Sequence, residues 1–104
     1  MQYVTAFITA PGKKEAEKIS RALLKSRLIA CASIVKGIES HFWWQGKIQR
    51  AREYLIIAKT RKALFNRLVR LVKKEHPYEC PEIIAVPLIA GFEPYLRWIK
   101  RETL

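Results

Sequence analysis

A chain of 104 residues has the length of one domain, and half of its residues are apolar, which permits a core and excludes a disordered segment. Twenty basic against nine acidic residues leave a net charge of +11, a balance that raises the question of an anionic partner. No apolar run approaches the ~20 residues of a membrane-spanning helix, and MQYVTAFITAPGKKEAEK lacks the basic-then-apolar order of a signal peptide, so a cytoplasmic protein without membrane contact is expected.

Residues 3–9, YVTAFIT, are rich in β-branched and aromatic types and predict a first strand, which Pro11-Gly12 ends. Residues 13–27 predict a helix, with Ala16, Ile19, Ala22 and Leu23 at helical spacing and charges elsewhere. From Leu28 to Val35 the chain is β-prone again. Lys36-Gly37 interrupts it, and the β-prone character resumes from Ile38 to Trp44. Gln45-Gly46 looks like a hairpin turn leading into Lys47-Ile48. Residues 52–60, REYLIIAKT, predict the next strand, and residues 61–75 a second helix with Leu64, Leu68, Leu71 and Val72 on one stripe. After the connector HPYECPE, Ile83 to Ile89 predicts another strand. Pro94 suits the first turn of a short C-terminal helix whose apolar stripe is Tyr95, Trp98 and Ile99.

The order β-α-β-β-α-β plus a tail helix predicts an α+β ferredoxin-like sandwich, one domain over residues 1–104. Two helices cover one face of such a sheet, so its strands should alternate apolar and polar. These do not: Tyr54 to Ala58, Ile83 to Val86 and Val4 to Ile8 (Thr5 apart) are apolar on both faces. An uncovered apolar face of this kind is an interface or an aggregation hazard. An oligomer with sheets packed together is expected, the stretch from Leu28 to Trp44 reaching a neighbour's edge.

HPYECPEI, residues 76–83, holds an imidazole, a phenol, a thiol and two carboxylates around two prolines that stiffen it. Cys31, His41, His76 and Cys80 are the soft or borderline metal-ligand candidates, with Glu79 and Glu82 as oxygen donors. Thiolate and imidazole together favour copper or zinc over magnesium or calcium. No local set of four ligands is present, so a site has to assemble through the fold or between copies. Cys31, between Ala30 and Ala32, equally suits a small buried hydrophobe, and His76 equally suits a helix C-cap. No Gly-x-Ser-x-Gly, phosphate loop or dinucleotide fingerprint occurs, and a non-enzymatic protein is expected. Phe42-Trp43-Trp44 alternates across a strand, suited to an interface or to stacking on a ligand. Lys59 and Arg61 end an apolar strand, where they can hold an anion or reach water. The cations fall mostly on three helices; residues 59–74 include no acid and form the best anion-attracting segment. Without a helix-turn-helix, zinc-finger or RNP signature, specific nucleic-acid recognition is not expected.

Several segments resemble the CutA family of divalent-cation-tolerance proteins: FITAP (7–11), ALLKSRLIACASIVKGIES (22–40), WWQGKI (43–48), LIIAKT (55–60), HPYECPEI (76–83) and PLIAGFEPYLRWI (87–99). The resemblance implies a ferredoxin-like subunit in a tight homotrimer with its sheets inside. It also implies binding of copper, as Cu(II), or of other divalent cations, with no cofactor otherwise required. Cys31 and His76 are the metal ligands it carries over, and Glu79 and Cys80 are local additions to them. The chain departs from the family's pattern at Glu75, where some relatives carry histidine, at Cys80, more often aliphatic or threonine, and at residues 49–52, QRAR, where many relatives are acidic. An alternative follows from the trimeric PII-like proteins, which share this plan: inter-subunit clefts that hold a small anion near Trp44, Lys59, Tyr78 and Glu82.

Overall fold

The computed structural model describes residues 1–104. In chain order it consists of β1 (Tyr3–Ala10), α1 (Lys13–Lys25), β2 (Cys31–Trp44), β3 (Lys47–Arg61), a 3-10 turn (Lys62–Leu64) running into α2 (Phe65–Glu75), β4 (Ile83–Pro87) and α3 (Glu93–Glu102). The four strands pair antiparallel in the order β2-β3-β1-β4. This is the ferredoxin-like α+β sandwich that the element order predicts.

Period-2 and period-3.6 patterns meet in one core. Ala6, Ile8 and Ala10 from β1 and Ile56 and Ala58 from β3 point at Ala16, Ile19 and Leu23 of α1 and at Leu68 and Val72 of α2, all fully buried. At about 1.5–3 kcal/mol per large side chain, removing these from water is the main force holding helices to sheet. The other sheet face is covered only in part. Helix α3 crosses one end of it, tied down where Arg61 Nε donates to Thr103 Oγ1 at 3.0 Å and Arg27 meets Glu102 at 3.0 Å. Val35, Ile84 and Val86 remain exposed beyond it.

Several boundaries differ from the sequence-based expectation: α1 ends at Lys25 and not at residue 27, α2 starts at Phe65 and not at residue 61, and four others have a local reason. Leu28–Ala30 is not strand: Arg27 turns the chain at φ 60, and Leu28 and Ile29 drop into the core. There Thr60 Oγ1 donates to the Leu28 carbonyl at 2.6 Å. Lys36-Gly37 does not interrupt β2 but forms a bulge between Val35 and Ile38, with Gly37 at φ 73. Strand β3 starts at Lys47 because residues 47–53 pair with residues 38–44, so their charges ride on a ladder. β4 stops at Pro87, leaving Ile89 95% exposed.

The bulge determines which side chains share a face. Val35 opposes Leu55 and Ile38 opposes Glu53, so Lys36 and Gly37 together face Tyr54. One extra residue shifts the alternation. Ile38, Phe42 and Trp44 thereby join Cys31, Ser33 and Val35 on the face turned away from α1 and α2. Because β1 ends opposite Tyr54, the pairs from Ile38–Glu53 to Trp44–Lys47 extend past the sheet as a two-stranded ribbon. Phe42, Trp43, Trp44 and Ile48 are exposed on it. A lone ribbon with a large apolar surface is marginal in water.

Candidate ligand-binding residues

Helix α2 ends at His76, which caps it: the His76 N–H donates to the Val72 carbonyl at 2.8 Å, and its backbone is already extended toward Pro77. The imidazole turns inward and is buried. Nε2 bonds the Thr9 carbonyl at 2.7 Å, and Nδ1 accepts from the Tyr78 N–H at 3.1 Å. A carbonyl only accepts and an amide N–H only donates, so the ring is the Nε2–H tautomer and both nitrogens are occupied. The His76 and Tyr78 rings lie 4.9 Å apart.

Tyr78 carries the connection onward, its hydroxyl donating to Glu53 Oε2 at 2.8 Å. Burial, then the bond to Glu53, then the negative charges of Glu53 and Glu15 push the phenol up to about 12. Glu53 is only 5% exposed, and Tyr78 is its one side-chain partner. Sequence reasoning missed this residue. The signal was a lone acid near the start of an otherwise apolar stretch, opposite Ile38 and next to the Lys36-Gly37 bulge.

Cys31 begins β2 on the opposite sheet face from α1, half-buried, with its sulfur 3.5 Å from the Tyr95 hydroxyl of α3. That bond, and then burial, push Tyr95 up to about 12. Within one subunit Cys31 and His76 do not share a site. Cys31 is level with Lys59 and, through it, Thr5, whereas the His76 ring sits at Thr9, four residues or about 13 Å along β1. β2 also lies two strand spacings, about 10 Å, from β1. No three His, Cys, Asp or Glu side chains converge anywhere in the subunit. Glu79 and Cys80 are exposed on the loop after His76. His41 is on the ribbon, paired with Glu39 at 2.7 Å. The donor set of a single subunit therefore does not fit a closed metal site.

The four cleft residues are dispersed as well. Trp44 sits at the ribbon tip opposite Lys47, and Lys59 lies twelve residues farther along β3, about 40 Å away. Tyr78 is at Glu53, and Glu82 is exposed just before β4. Only a second copy can bring the Trp44 end and the Lys59 end to one place.

An antiparallel α+β sandwich with one covered sheet face, one mostly open face and a protruding ribbon defines a small ferredoxin-like subunit. The model of the CutA1 divalent ion tolerance protein family matches residues 4–102, and the chain belongs to that family. It is 40% identical over 100 residues to the chloroplastic Protein CutA 1 of Oryza sativa, covering 96% of this chain and 56% of the rice protein. To the divalent-cation tolerance protein CutA of Archaeoglobus fulgidus it is 44% identical over 93 residues, covering 89% of this chain and 90% of that protein. The crystal structure of CutA1 from Oryza sativa superposes with a TM-score of 0.97 at 38% identity, over 100% of this chain and 95% of that one. The chain thus spans about half the length of the plant and mammalian curated relatives it matches, and nearly all of the prokaryotic ones.

Proposed function

We propose that this chain acts in divalent-cation tolerance as a homotrimer that binds copper, or a related divalent cation, without catalysing a reaction. The observation that carries the reading is the placement of Cys31 on the sheet face that α1 and α2 leave open. Val35, Ile84 and Val86 on that face, with Phe42 and Trp44 on the ribbon, form apolar surface too large to remain wet. Neighbouring subunits that cover it bring foreign side chains toward Cys31. The metal is then completed across a subunit boundary, which agrees with the absence of a closed donor set inside one subunit. In this reading Cys31 supplies the thiolate, deprotonated as the metal arrives. The exposed Glu79 and Cys80 are the oxygen and sulfur donors of the 76–82 loop. His76 holds that loop in place, since neither ring nitrogen is free for a metal. The names of the relatives, divalent-cation tolerance proteins, support the metal assignment, and the family's shared fold supports one assembly plan.

Light scattering of the purified protein, followed by copper titration of the wild type, Cys31→Ser and Cys80→Ser, tests this. A trimer mass and at least a tenfold loss of copper affinity in Cys31→Ser are expected. A monomer at micromolar concentration, or unchanged affinity in the Cys31→Ser, Cys80→Ser double variant, would overturn it.

A further inference from the structure

The positive charge is concentrated on the helical layer. Five exposed lysines and arginines lie between Lys13 and Lys25, five more lie between Lys62 and Glu75, and only Glu15, Glu17 and Glu75 oppose them there. Of these ten cations only Lys18 has a carboxylate partner, Glu75 at 3.4 Å. On α1 the cations Lys14, Lys18, Arg21 and Lys25 follow each other at i+4, i+3 and i+4. On α2, Arg67, Arg70 and Lys74 follow at i+3 and i+4. Like charges at these spacings are neighbours about 5–6 Å apart and destabilise a helix by a few tenths of a kcal/mol each. The fold carries two such rows side by side with almost no acid between them. At the C-terminal end of α1 the rows border a groove of about 410 Å³ lined by Arg67, Arg70 and Lys74 with Ser26, Leu28, Leu71 and one acid, Glu75, whose charge Lys18 offsets.

The composition of this surface selects among anionic partners. Leu24 is its only large exposed hydrophobic residue; the exposed tryptophans and phenylalanines lie on the ribbon and near α3. There is no ring on which unpaired bases could stack, as single-strand binders require. Nor does Leu24 alone make the apolar face that would sink an amphipathic helix into a lipid interface. What remains is regularly spaced charge, seven lysines and three arginines, with Arg67 and Arg70 offering the planar forks that suit phosphate oxygens. We propose that the helical layer binds the phosphate backbone of duplex nucleic acid without reading sequence, with Arg67 and Arg70 at the centre of the contact. The inference rests on the subunit's own surface and is independent of the metal reading.

Fluorescence anisotropy with two unrelated duplexes of about 20 base pairs, between about 50 and 200 mM salt, tests it. Equal affinity for both duplexes is expected, with log K falling linearly against log salt by about 0.9 per phosphate neutralised. R67E/R70E should bind at least about tenfold more weakly and flatten the salt slope by about two, while R67K/R70K retains most of the affinity. R97E/K100E on α3 makes the same change in net charge and should leave binding nearly intact. Circular dichroism confirms that the variants fold; should R67E/R70E not fold, R67A/R70A is read in its place. No duplex binding at 50 mM salt, equal losses in the α2 and α3 variants, or capture by anionic phosphatidylglycerol vesicles without capture of duplex would overturn the proposal.

Discussion

The Tyr78 hydroxyl donates to the Glu53 carboxylate at 2.8 Å, and through this bond the loop after α2 is fastened to β3 at the point where the β2 bulge reverses the side-chain alternation. The bond is made to a nearly buried charge. Removing its donor leaves Glu53 Oε2 without a partner. Tyr78→Phe should therefore destabilise the protein by about 1–2 kcal/mol, the lower part of the range for a charged hydrogen bond because Tyr78 is itself partly accessible. Urea unfolding at neutral pH measures this, and Glu53→Gln should recover part of the loss in the Tyr78→Phe background.

Both Tyr78 and Tyr95 are pushed up from 10.0 to about 12, Tyr78 first by burial and Tyr95 first by its bond to Cys31. The folded state therefore holds these protons more tightly than the unfolded chain does. Each pair's contribution is fully present below pH 10 and declines as pH rises from 10 toward 12. Unfolding midpoints recorded across that window should fall with pH, and more shallowly in Tyr78→Phe and Tyr95→Phe than in the wild type. A wild-type slope matched by the Tyr78→Phe, Tyr95→Phe double variant would contradict both assignments.

His76 occupies both of its ring nitrogens, which sets two variants apart. His76→Ala leaves the Thr9 carbonyl unpaired inside the protein and empties the volume of the ring, costing about 2–4 kcal/mol. His76→Gln keeps an amide donor within reach of Thr9 and should cost about half as much. Copper affinity in His76→Gln should equal that of the wild type if, as proposed, the imidazole holds the loop and the metal is bound elsewhere. Thermal melting paired with copper titration reads both effects, and a tenfold loss of copper affinity in His76→Gln would restore the ring as a ligand.

The order of elements was legible because each segment carried one clear period, apolar stripes in residues 13–25 and 65–75 and β-branched runs in 3–10 and 54–60. Two features were not. Residues 47–53, KIQRARE, have no strand-like alternation of their own, and become strand only because residues 38–44 hydrogen-bond beside them. The bulge at Lys36-Gly37 resembles a chain break in sequence, since glycine serves both purposes, and only the register shows one residue inserted in a continuous ladder. The site was legible as residue types and not as partners. Sequence identified His76, Tyr78 and Cys31 as chemically active. Tyr78–Glu53 and Cys31–Tyr95 join residues 25 and 64 positions apart, and local spacing has no information at that range.

Backbone conformation at the β2 bulge and at the β2–β3 turn gives opposite expectations. Gly37 has φ 73 with open space around the position of a Cβ, so Gly37→Ala meets no clash and pays only for the left-handed backbone. A cost of about 1–2 kcal/mol is expected. Gln45 and Gly46 have φ 51 and 77, the pair of positive values of a type I′ hairpin turn. Gln45→Asn tolerates that conformation better and should stabilise by about 0.5 kcal/mol. Chemical denaturation of the two variants should move the midpoint in opposite directions.

The open sheet face is where a single charge should do the most damage. Val86 sits on edge strand β4 opposite Thr5, with its side chain exposed on the face turned from α1 and α2. In the proposed trimer that face is buried. Val86→Asp would then place an unpaired carboxylate in an apolar contact, at a cost of several kcal/mol per interface. The same substitution in an isolated subunit would touch only water and cost a few tenths of a kcal/mol. Light scattering should therefore show Val86→Asp as a folded or partly folded monomer at concentrations where the wild type is trimeric, and its melting temperature should depend on concentration more steeply than that of the wild type. Phe42→Asp on the ribbon should act in the same direction, because in the proposed trimer the ribbon, unsupported within its own subunit, packs against the neighbouring copy. A wild-type mass for both variants would show that β4 and the ribbon face water in the assembled protein.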